Sequence, residues 1–189
     1  MEMRLFTCLI ASLLLALPLQ SAEPEPSFPA TIEADLSGNE WVKLGDYRYI
    51  YRIFFKLYDV ALYAPPNRSA QDVLNASTPF RLQFRYLREI DKAIILKSAQ
   101  KMLERNLSTA QMEQIEDRVA RINQGYRTVE DGDHSALTFV PGEGTTLSIN
   151  GVPVVTIEGS DFARLYFKIW LGETPLSTEL RQSVLGLDG

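Results

Sequence analysis

Cysteine and histidine are nearly absent from this sequence of 189 residues, which contains one of each. Cys8 lies in an apolar N-terminal run that we expect to be removed, so the mature chain would have neither a disulfide nor a cysteine nucleophile. Because His134 is the single histidine, a histidine-rich metal site is excluded. The acidic neighbours of His134 are more typical of a solvated turn than of a metal site. No Gly-x-Ser-x-Gly turn presents a serine nucleophile. The sequence therefore predicts no catalytic residue set, no metal and no cofactor.

A concentration of positive charge is also lacking. Lys and Arg number 19 against 24 Asp and Glu, giving a net charge of −5, and the basic residues are scattered. A nucleic-acid partner favours a concentrated basic face, so we expect no nucleic-acid partner. The sequence leaves the oligomeric state open.

The first 22 residues have the layout of a secretory signal peptide. Arg4 precedes an apolar run over residues 5–19, and a polar, proline-rich stretch follows it. The run is shorter than the ~20 apolar residues that a bilayer span needs, and no later run is long and apolar enough. We predict a signal peptide over 1–22, a disordered leader over 23–30 and one domain over 31–189. The predicted location is periplasmic or secreted, with no membrane span in the mature chain.

Hydrophobic periodicity separates strands from helices in the predicted domain. Strands are predicted over residues 31–36, 40–44, 46–65, 80–86, 136–140, 145–149 and 152–157, with an Asn150-Gly151 hairpin turn between the last two. Helices are predicted over residues 70–74, 90–106, 112–126 after a capping box at Ser108 and Gln111, 160–172 with Ser160 as cap, and 177–185. This order indicates an α+β fold with a largely antiparallel sheet covered by helices.

Residues 46–65 form the densest aromatic stretch of the chain, and cations recur in it at every fourth position: Arg48, Arg52 and Lys56. Alternate residues of a strand share a face, so a single strand here would place Arg48, Arg52 and Tyr58 together. Two interpretations are open. Either the cations are structural and extend their charged ends to water, or they receive an anionic head group in an otherwise apolar site.

Several motifs together resemble a known family. Phe55-Lys56-Leu57-Tyr58-x-x-Ala61-Leu62-Tyr63 resembles the FKVYxxALY signature of the bacterial chalcone isomerase-like proteins. The hairpin region and closing helix of that family are similar to Gly132-Asp133, Phe139-x-Pro141-Gly142-x-Gly144-Thr145, Asn150-Gly151 and Ile169-Trp170-Leu171-Gly172. The resemblance covers residues 31–186. It implies an open-faced antiparallel β-sandwich covered by helices, with a ligand cleft between the sheet and the helices.

The resemblance also implies site residues. In plant chalcone isomerases an arginine and a threonine hold and polarise the substrate during an intramolecular ring closure, whereas in fatty-acid-binding relatives an arginine and a tyrosine bind the carboxylate. Tyr58 matches the threonine or tyrosine, and either Arg48 or Arg52 is admissible as the arginine. Asn106 and Thr174 lie in regions that roughly correspond to the isomerases' remaining active-site asparagine and threonine.

A tyrosine at position 58 is closer to the fatty-acid-binding pattern than to the isomerase pattern. We therefore expect a non-catalytic protein that binds a small anionic apolar ligand, such as a fatty acid, through Tyr58 and Arg48 or Arg52. One alternative is an intramolecular lyase or isomerase acting on an enone or phenolic substrate. Another is an interaction protein whose cleft is filled by its own side chains.

Overall fold

The computed structural model describes residues 28–33, 40–52 and 54–187. Its strands form one antiparallel sheet in chain order: β1 (Thr31–Glu33), β2 (Glu40–Tyr51), β3 (Phe55–Ala64), β4 (Phe80–Tyr86), β5 (His134–Val140), β6 (Gly144–Ile149) and β7 (Val152–Ile157). The helices are α1 (Ala70–Leu74), α2 (Lys92–Asn106), α3 (Thr109–Gly125), α4 (Ser160–Tyr166), α5 (Lys168–Leu171) and α6 (Thr178–Val184). The predicted α+β class with an antiparallel sheet is confirmed.

The helices cover one face of the curled sheet. Strand β4 shows why, because Phe80, Leu82, Phe84 and Tyr86 are buried while the residues between them are partly exposed. These four side chains join one hydrophobic core with apolar residues of the helices. On the opposite face a much smaller cluster consists of Trp41, Ala61 and Tyr63, with Phe28 and Ile32 packed against it. One thick and one thin layer make the open-faced sandwich that was predicted.

Strand β2 runs through residue 45 without a break, although separate strands were predicted over 40–44 and from residue 46 onward. Its pairing with β3 shifts register between Lys43 and Gly45, so the strand absorbs one irregular residue without ending. Gly45 permits a close approach of α6, since a Cβ atom there would collide with the Ser183 carbonyl oxygen. The glycine thus marks a packing contact rather than a turn.

The prediction of one strand over residues 46–65 is wrong, because the chain reverses direction inside it. Strand β2 ends at Tyr51 and β3 begins at Phe55, and the two pair antiparallel. Arg52 adopts the left-handed region with a φ of 49°, and the Phe54 N–H donates to the Arg52 carbonyl at 2.7 Å. Arginine is uncommon in that region, and the stretch contains no Gly, Pro or Asn at the turn, so its composition favours a continuous strand.

The other predicted elements are confirmed with one further exception, and residues 34–36 of the first predicted strand lie outside the described residues. Ser108 and Gln111 form the capping box of α3, and Asn150 and Gly151 have positive φ values of 50° and 79° in their hairpin. The exception is the helix predicted over 160–172, which is interrupted at Phe167 and is preceded by Gly159 as its N-cap, with no side-chain capping bond.

The start of the chain lies mostly outside the described residues. The predicted signal peptide falls entirely outside them, as does the predicted leader up to residue 27. Phe28 and Pro29 rest against the sheet, where their carbonyls accept hydrogen bonds from Lys43 Nζ at 3.1 Å and from the Tyr63 hydroxyl at 2.9 Å. Within the described ranges, no helix has the length and apolar character needed to cross a bilayer.

Candidate ligand cavity

A cavity of about 490 Å³ lies between the sheet and helix α2. This volume is within the range of small-molecule binding sites. Strands β2 to β5 and helices α2 and α5 contribute to it, and its lining residues are Tyr49, Tyr51, Leu57, Tyr58, Phe84, Tyr86, Ile90, Ile94, Ile95, Lys97, Ser98, Ala99, Lys101, Met102, Arg105, Tyr126, Ser135, Ile169, Trp170 and Leu176. Most of these side chains are apolar or aromatic, so the cavity suits an apolar ligand.

Tyr58 is the centre of an aromatic wall on the sheet side. Its ring stacks on that of Tyr49 with centroids 5.2 Å apart, and it meets Phe84 edge-on at 5.4 Å and Tyr86 edge-on at 6.3 Å. The first pair forms because Tyr49 and Tyr58 are directly opposite each other on β2 and β3. These contacts hold the Tyr58 ring in one orientation.

The Tyr58 hydroxyl is buried and forms no hydrogen bond within the described part of the chain. Burial raises the pKa of Tyr58 well above its ordinary value, and Tyr49 and Tyr86 add to that rise. The Trp170 side chain acts in the opposite direction on the pKa of Tyr58, although the contact between Trp170 and the Tyr58 hydroxyl falls short of hydrogen-bond geometry. The group is therefore a neutral donor at neutral pH. A buried hydroxyl without a partner costs roughly 1–3 kcal/mol, which a ligand acceptor would recover.

Two other buried tyrosines of the lining have partners. The Tyr86 hydroxyl lies 2.9 Å from Ser135 Oγ, and the Tyr126 hydroxyl lies 3.3 Å from that of Tyr166. Burial raises the pKa of both Tyr86 and Tyr126. These hydroxyls consequently remain protonated at neutral pH and can donate hydrogen bonds but not act as bases.

Three basic residues on one side of helix α2 belong to the cavity lining. Lys97, Lys101 and Arg105 are spaced four residues apart, which places them above one another on the helix, and all three are exposed. No carboxylate of the described residues lies within ion-pair distance of them. We call these three residues the basic row. The prediction from sequence missed it, although its four-residue spacing on a predicted helix was the available signal.

The comparisons with known proteins agree with this architecture. A family model described as chalcone isomerase-like matches residues 37–186. The chain belongs to the chalcone isomerase-like family. A crystal structure of a fatty-acid binding protein of Arabidopsis thaliana matches with a TM-score of 0.61 and 16% identity, over 85% of this chain and 91% of that one. At this identity the likeness concerns the fold. No curated protein matches the sequence.

In this chalcone isomerase-like protein, Tyr58 lines the cavity, while Arg48 and Arg52 are not among its described lining residues. Arg48 on β2 is the cross-strand partner of Asp59 on β3. Asp59 is the chain neighbour of Tyr58, so Arg48 and Asp59 lie on the sheet face opposite to that of Tyr58. Arg52 is in the hairpin turn, with its guanidinium 5.4 Å from the centre of the Tyr51 ring. The expectation that Arg48, Arg52 and Tyr58 share a face is wrong because the turn interrupts the strand. The ligand-binding roles of these residues remain predictions.

Arg48 belongs to an ion cluster on the sheet face away from the cavity. Its Nε and Nη2 donate to the two Asp59 oxygens at 2.7 and 3.0 Å, and Arg85 Nη2 donates to Asp59 at 2.6 Å. Burial favours the neutral form of Asp59, but the hydrogen bonds from Arg48 and Arg85 outweigh it and lower the pKa of Asp59. The carboxylate thus remains charged and ties β2, β3 and β4 together.

Asn106 and Thr174 are likewise absent from the described cavity lining. The Asn106 amide donates to the Thr174 carbonyl at 2.8 Å and accepts from the Thr174 N–H at 3.0 Å. Asn106 also donates to the Met102 carbonyl at 2.9 Å. In this structure the two residues fasten the end of α2 to the segment that follows α5.

Proposed function

We propose that this chalcone isomerase-like protein binds a long apolar carboxylate, such as a fatty acid, without transforming it. The observation that carries the proposal is an apolar cavity of about 490 Å³ with three unpaired cations of the described chain beside it. The fold shared with the fatty-acid binding protein of Arabidopsis thaliana supports the same ligand class. Of the residues that the isomerase resemblance singles out, Tyr58 is among the described lining residues, while Arg48, Arg52, Asn106 and Thr174 are not.

In this proposal the carboxylate of the ligand lies at the basic row, and the apolar chain of the ligand lies in the cavity. A carboxylate taken deep into the aromatic wall would lose its hydration without a cation to compensate, which is costly. At the basic row it keeps partial contact with water and gains an opposite charge. Tyr58 then contacts the chain of the ligand, and its hydroxyl is available to a polar substituent on that chain.

Calorimetric titration with saturated fatty acids of increasing length tests the apolar part of the proposal. Each buried methylene contributes about 0.8 kcal/mol, so the affinity should rise by about fourfold per methylene until the cavity is filled. Ala99→Trp should abolish binding because Ala99 lines the cavity, whereas Ala93→Trp, on an exposed position of the same helix, should not. Equal affinities for short and long acids would contradict the proposal.

Neutralising the basic row tests the position of the carboxylate. Changing Lys97, Lys101 and Arg105 to Gln together should weaken fatty-acid binding by about tenfold, at about 0.5 kcal/mol for each partly solvated pair, and should leave the matching fatty alcohol unaffected. The matched control changes the exposed residues Arg68, Arg121 and Arg164 to Gln, which alters the net charge equally away from the cavity.

Tyr58→Phe distinguishes the two possible positions of the head group. The ring and its packing are retained, so binding of an unsubstituted fatty acid should change by less than about twofold, or improve as the unpaired hydroxyl is removed. A loss as large as that of the triple variant would place the carboxylate at Tyr58 instead. Incubation with chalcones, followed through the enone absorbance, should show no turnover.

We also propose that the protein acts outside the cytoplasm. Support comes from the order of Arg4, the apolar run over 5–19 and the polar stretch after it. N-terminal sequencing of the protein recovered from its host cell should find that residues 1–22 have been removed. A protein that keeps these residues would contradict this location.

A further inference from the structure

The tip of the β2–β3 hairpin exposes large apolar side chains. We call Ile50, Tyr51, Phe54 and Phe55 the hairpin tip; all four are exposed, and Phe54 is exposed over 82% of its surface. Ile94 of helix α2 is exposed over 58%, and it lines the same cavity as Tyr51 of the hairpin tip. Exposed apolar residues that cluster in this way mark interaction surfaces rather than ordinary solvent-facing positions.

Positive charge surrounds the hairpin tip. Arg52 lies 5.4 Å from the Tyr51 ring centre, and Arg88 lies 5.2 Å from that of Phe55. Residues 50–56 and 87–97 together contain five cations (Arg52, Lys56, Arg88, Lys92 and Lys97) and two acids (Glu89 and Asp91), a balance of +3 in a chain whose net charge is −5. These two segments are therefore basic, whereas the turn over residues 129–133, which pairs with Tyr86 and Ile90, carries three acids. The cations at the tip itself are Arg52 and Arg88, each beside an exposed aromatic ring.

The hairpin tip adjoins the cavity. Tyr51 belongs to the tip and also lines the cavity, and the exposed Ile94 lines it as well. Lys97 of the basic row stands one helical turn from Ile94. A surface that contacts the hairpin tip would accordingly lie at the entrance to the cavity.

We infer that the hairpin tip docks on the surface of an anionic lipid bilayer and that the ligand passes between the bilayer and the cavity there. Exposed aromatic rings with adjacent cations suit the boundary between head groups and acyl chains, where the rings meet hydrocarbon and the cations meet anionic lipid. The docking itself is independent of the ligand, while the passage of ligand rests on the proposed function.

Flotation with vesicles tests the docking. Wild-type protein should bind vesicles of phosphatidylcholine mixed equally with phosphatidylglycerol. Phe54→Ser should lose about tenfold in partitioning because an exposed aromatic ring is removed from the contact. The matched control is Val152→Ser, which removes an apolar side chain exposed over 64% on β7, far along the chain from the tip. The wild type and both variants share the same N-terminal residues, so any effect of those residues on vesicle binding is the same in all three proteins.

The electrostatic part is tested with Arg52→Gln and Arg88→Gln combined. Partitioning should fall by about fivefold for each lost cation on the anionic vesicles, and hardly at all on phosphatidylcholine alone. Arg68→Gln with Arg121→Gln provides a control of equal charge change at exposed positions elsewhere. Equal partitioning of both pairs would overturn the inference.

A third measurement separates the two proposals. Transfer of a fluorescent fatty acid from anionic vesicles should slow by about tenfold in Phe54→Ser, while its affinity measured without vesicles stays at the wild-type value, since Phe54 is outside the described cavity lining. Flotation without ligand binding would refute the proposed function and leave docking intact. Ligand binding with no loss of flotation in Phe54→Ser, or a self-association of the protein that this variant abolishes, would overturn the docking.

Discussion

Arg48→Met tests whether this arginine stabilises the sheet or binds ligand. Methionine keeps the apolar stem and removes the guanidinium that donates two hydrogen bonds to Asp59 at 2.7 and 3.0 Å. The Asp59 side chain is fully buried and that of Arg48 is 15% exposed. If Arg48 is structural, the variant should lose stability and keep its affinity for ligand.

The structure sets the size of the loss. Removing one member of a buried ion pair costs about 3–5 kcal/mol when the other charge is left unpaired. Here Arg85 still donates to Asp59 at 2.6 Å, so the charge keeps one partner. We therefore expect a loss of about 2–3 kcal/mol, which for a chain of this size lowers Tm by about 4–12 °C. Asp59→Asn, which removes the carboxylate that both arginines contact, should cost more.

The stability difference should depend on pH with a defined sign. The two arginines lower the pKa of Asp59 in the folded protein, so its stabilising contribution is complete above the unfolded pKa of about 3.9 and is lost as the pH falls through the lower folded value. Urea denaturation should therefore show a constant gap between wild type and Arg48→Met near neutral pH that narrows below about pH 4.

Fatty-acid titration of the same variant completes the test. Arg48 lies on the sheet face opposite Tyr58, so the affinity should stay within about twofold of the wild type at a temperature where both are folded. An unchanged Tm combined with a large loss of affinity would refute the assignment of Arg48 to the far face.

Two further changes test the packing of the fold by chemical denaturation. Gly45→Ala should destabilise the protein by about 1–3 kcal/mol because the new methyl group meets the Ser183 carbonyl of α6; an unaltered denaturation midpoint would contradict this contact. Ser108→Ala removes the capping-box acceptor for the Gln111 N–H and should cost about 1 kcal/mol, whereas Ser160→Ala, at a serine with no capping bond, should cost little.

Periodicity predicted most of the fold because most elements have one buried face. Strand β4 alternates along its whole length, and helix α3 buries Ile115, Val119 and Ile122 at three- and four-residue steps. The hairpin at Arg52 could not be predicted in this way. Both flanking strands are aromatic, and the turn lacks the residues that usually mark one, so nothing local indicates where the chain reverses.

The unpredicted turn also explains which residues of the candidate site could be identified from the sequence. Tyr58 was identified through a motif lying entirely within β3, on one side of the turn, and its place at the cavity does not depend on where the turn occurs. Arg48 was linked to Tyr58 by counting residues across the turn, and such a count fails when the strand is interrupted. The basic row lies on an element far away in sequence, and only the packing of α2 over the sheet brings it to the cavity.

The position of the β2–β3 turn places Arg48 on the sheet face away from the cavity and leaves helix α2 to supply the cations at the cavity. Because β2 and β3 pair with Tyr49 opposite Tyr58, Arg48 is opposite Asp59, and its charge is neutralised on the far face of the sheet. The charge that a ligand at the cavity can meet is therefore supplied by α2, whose cations have no carboxylate partner among the described residues. The proposed binding site has an apolar interior and a charged, hydrated edge, so we expect it to select ligands by chain length inside and by charge at the entrance.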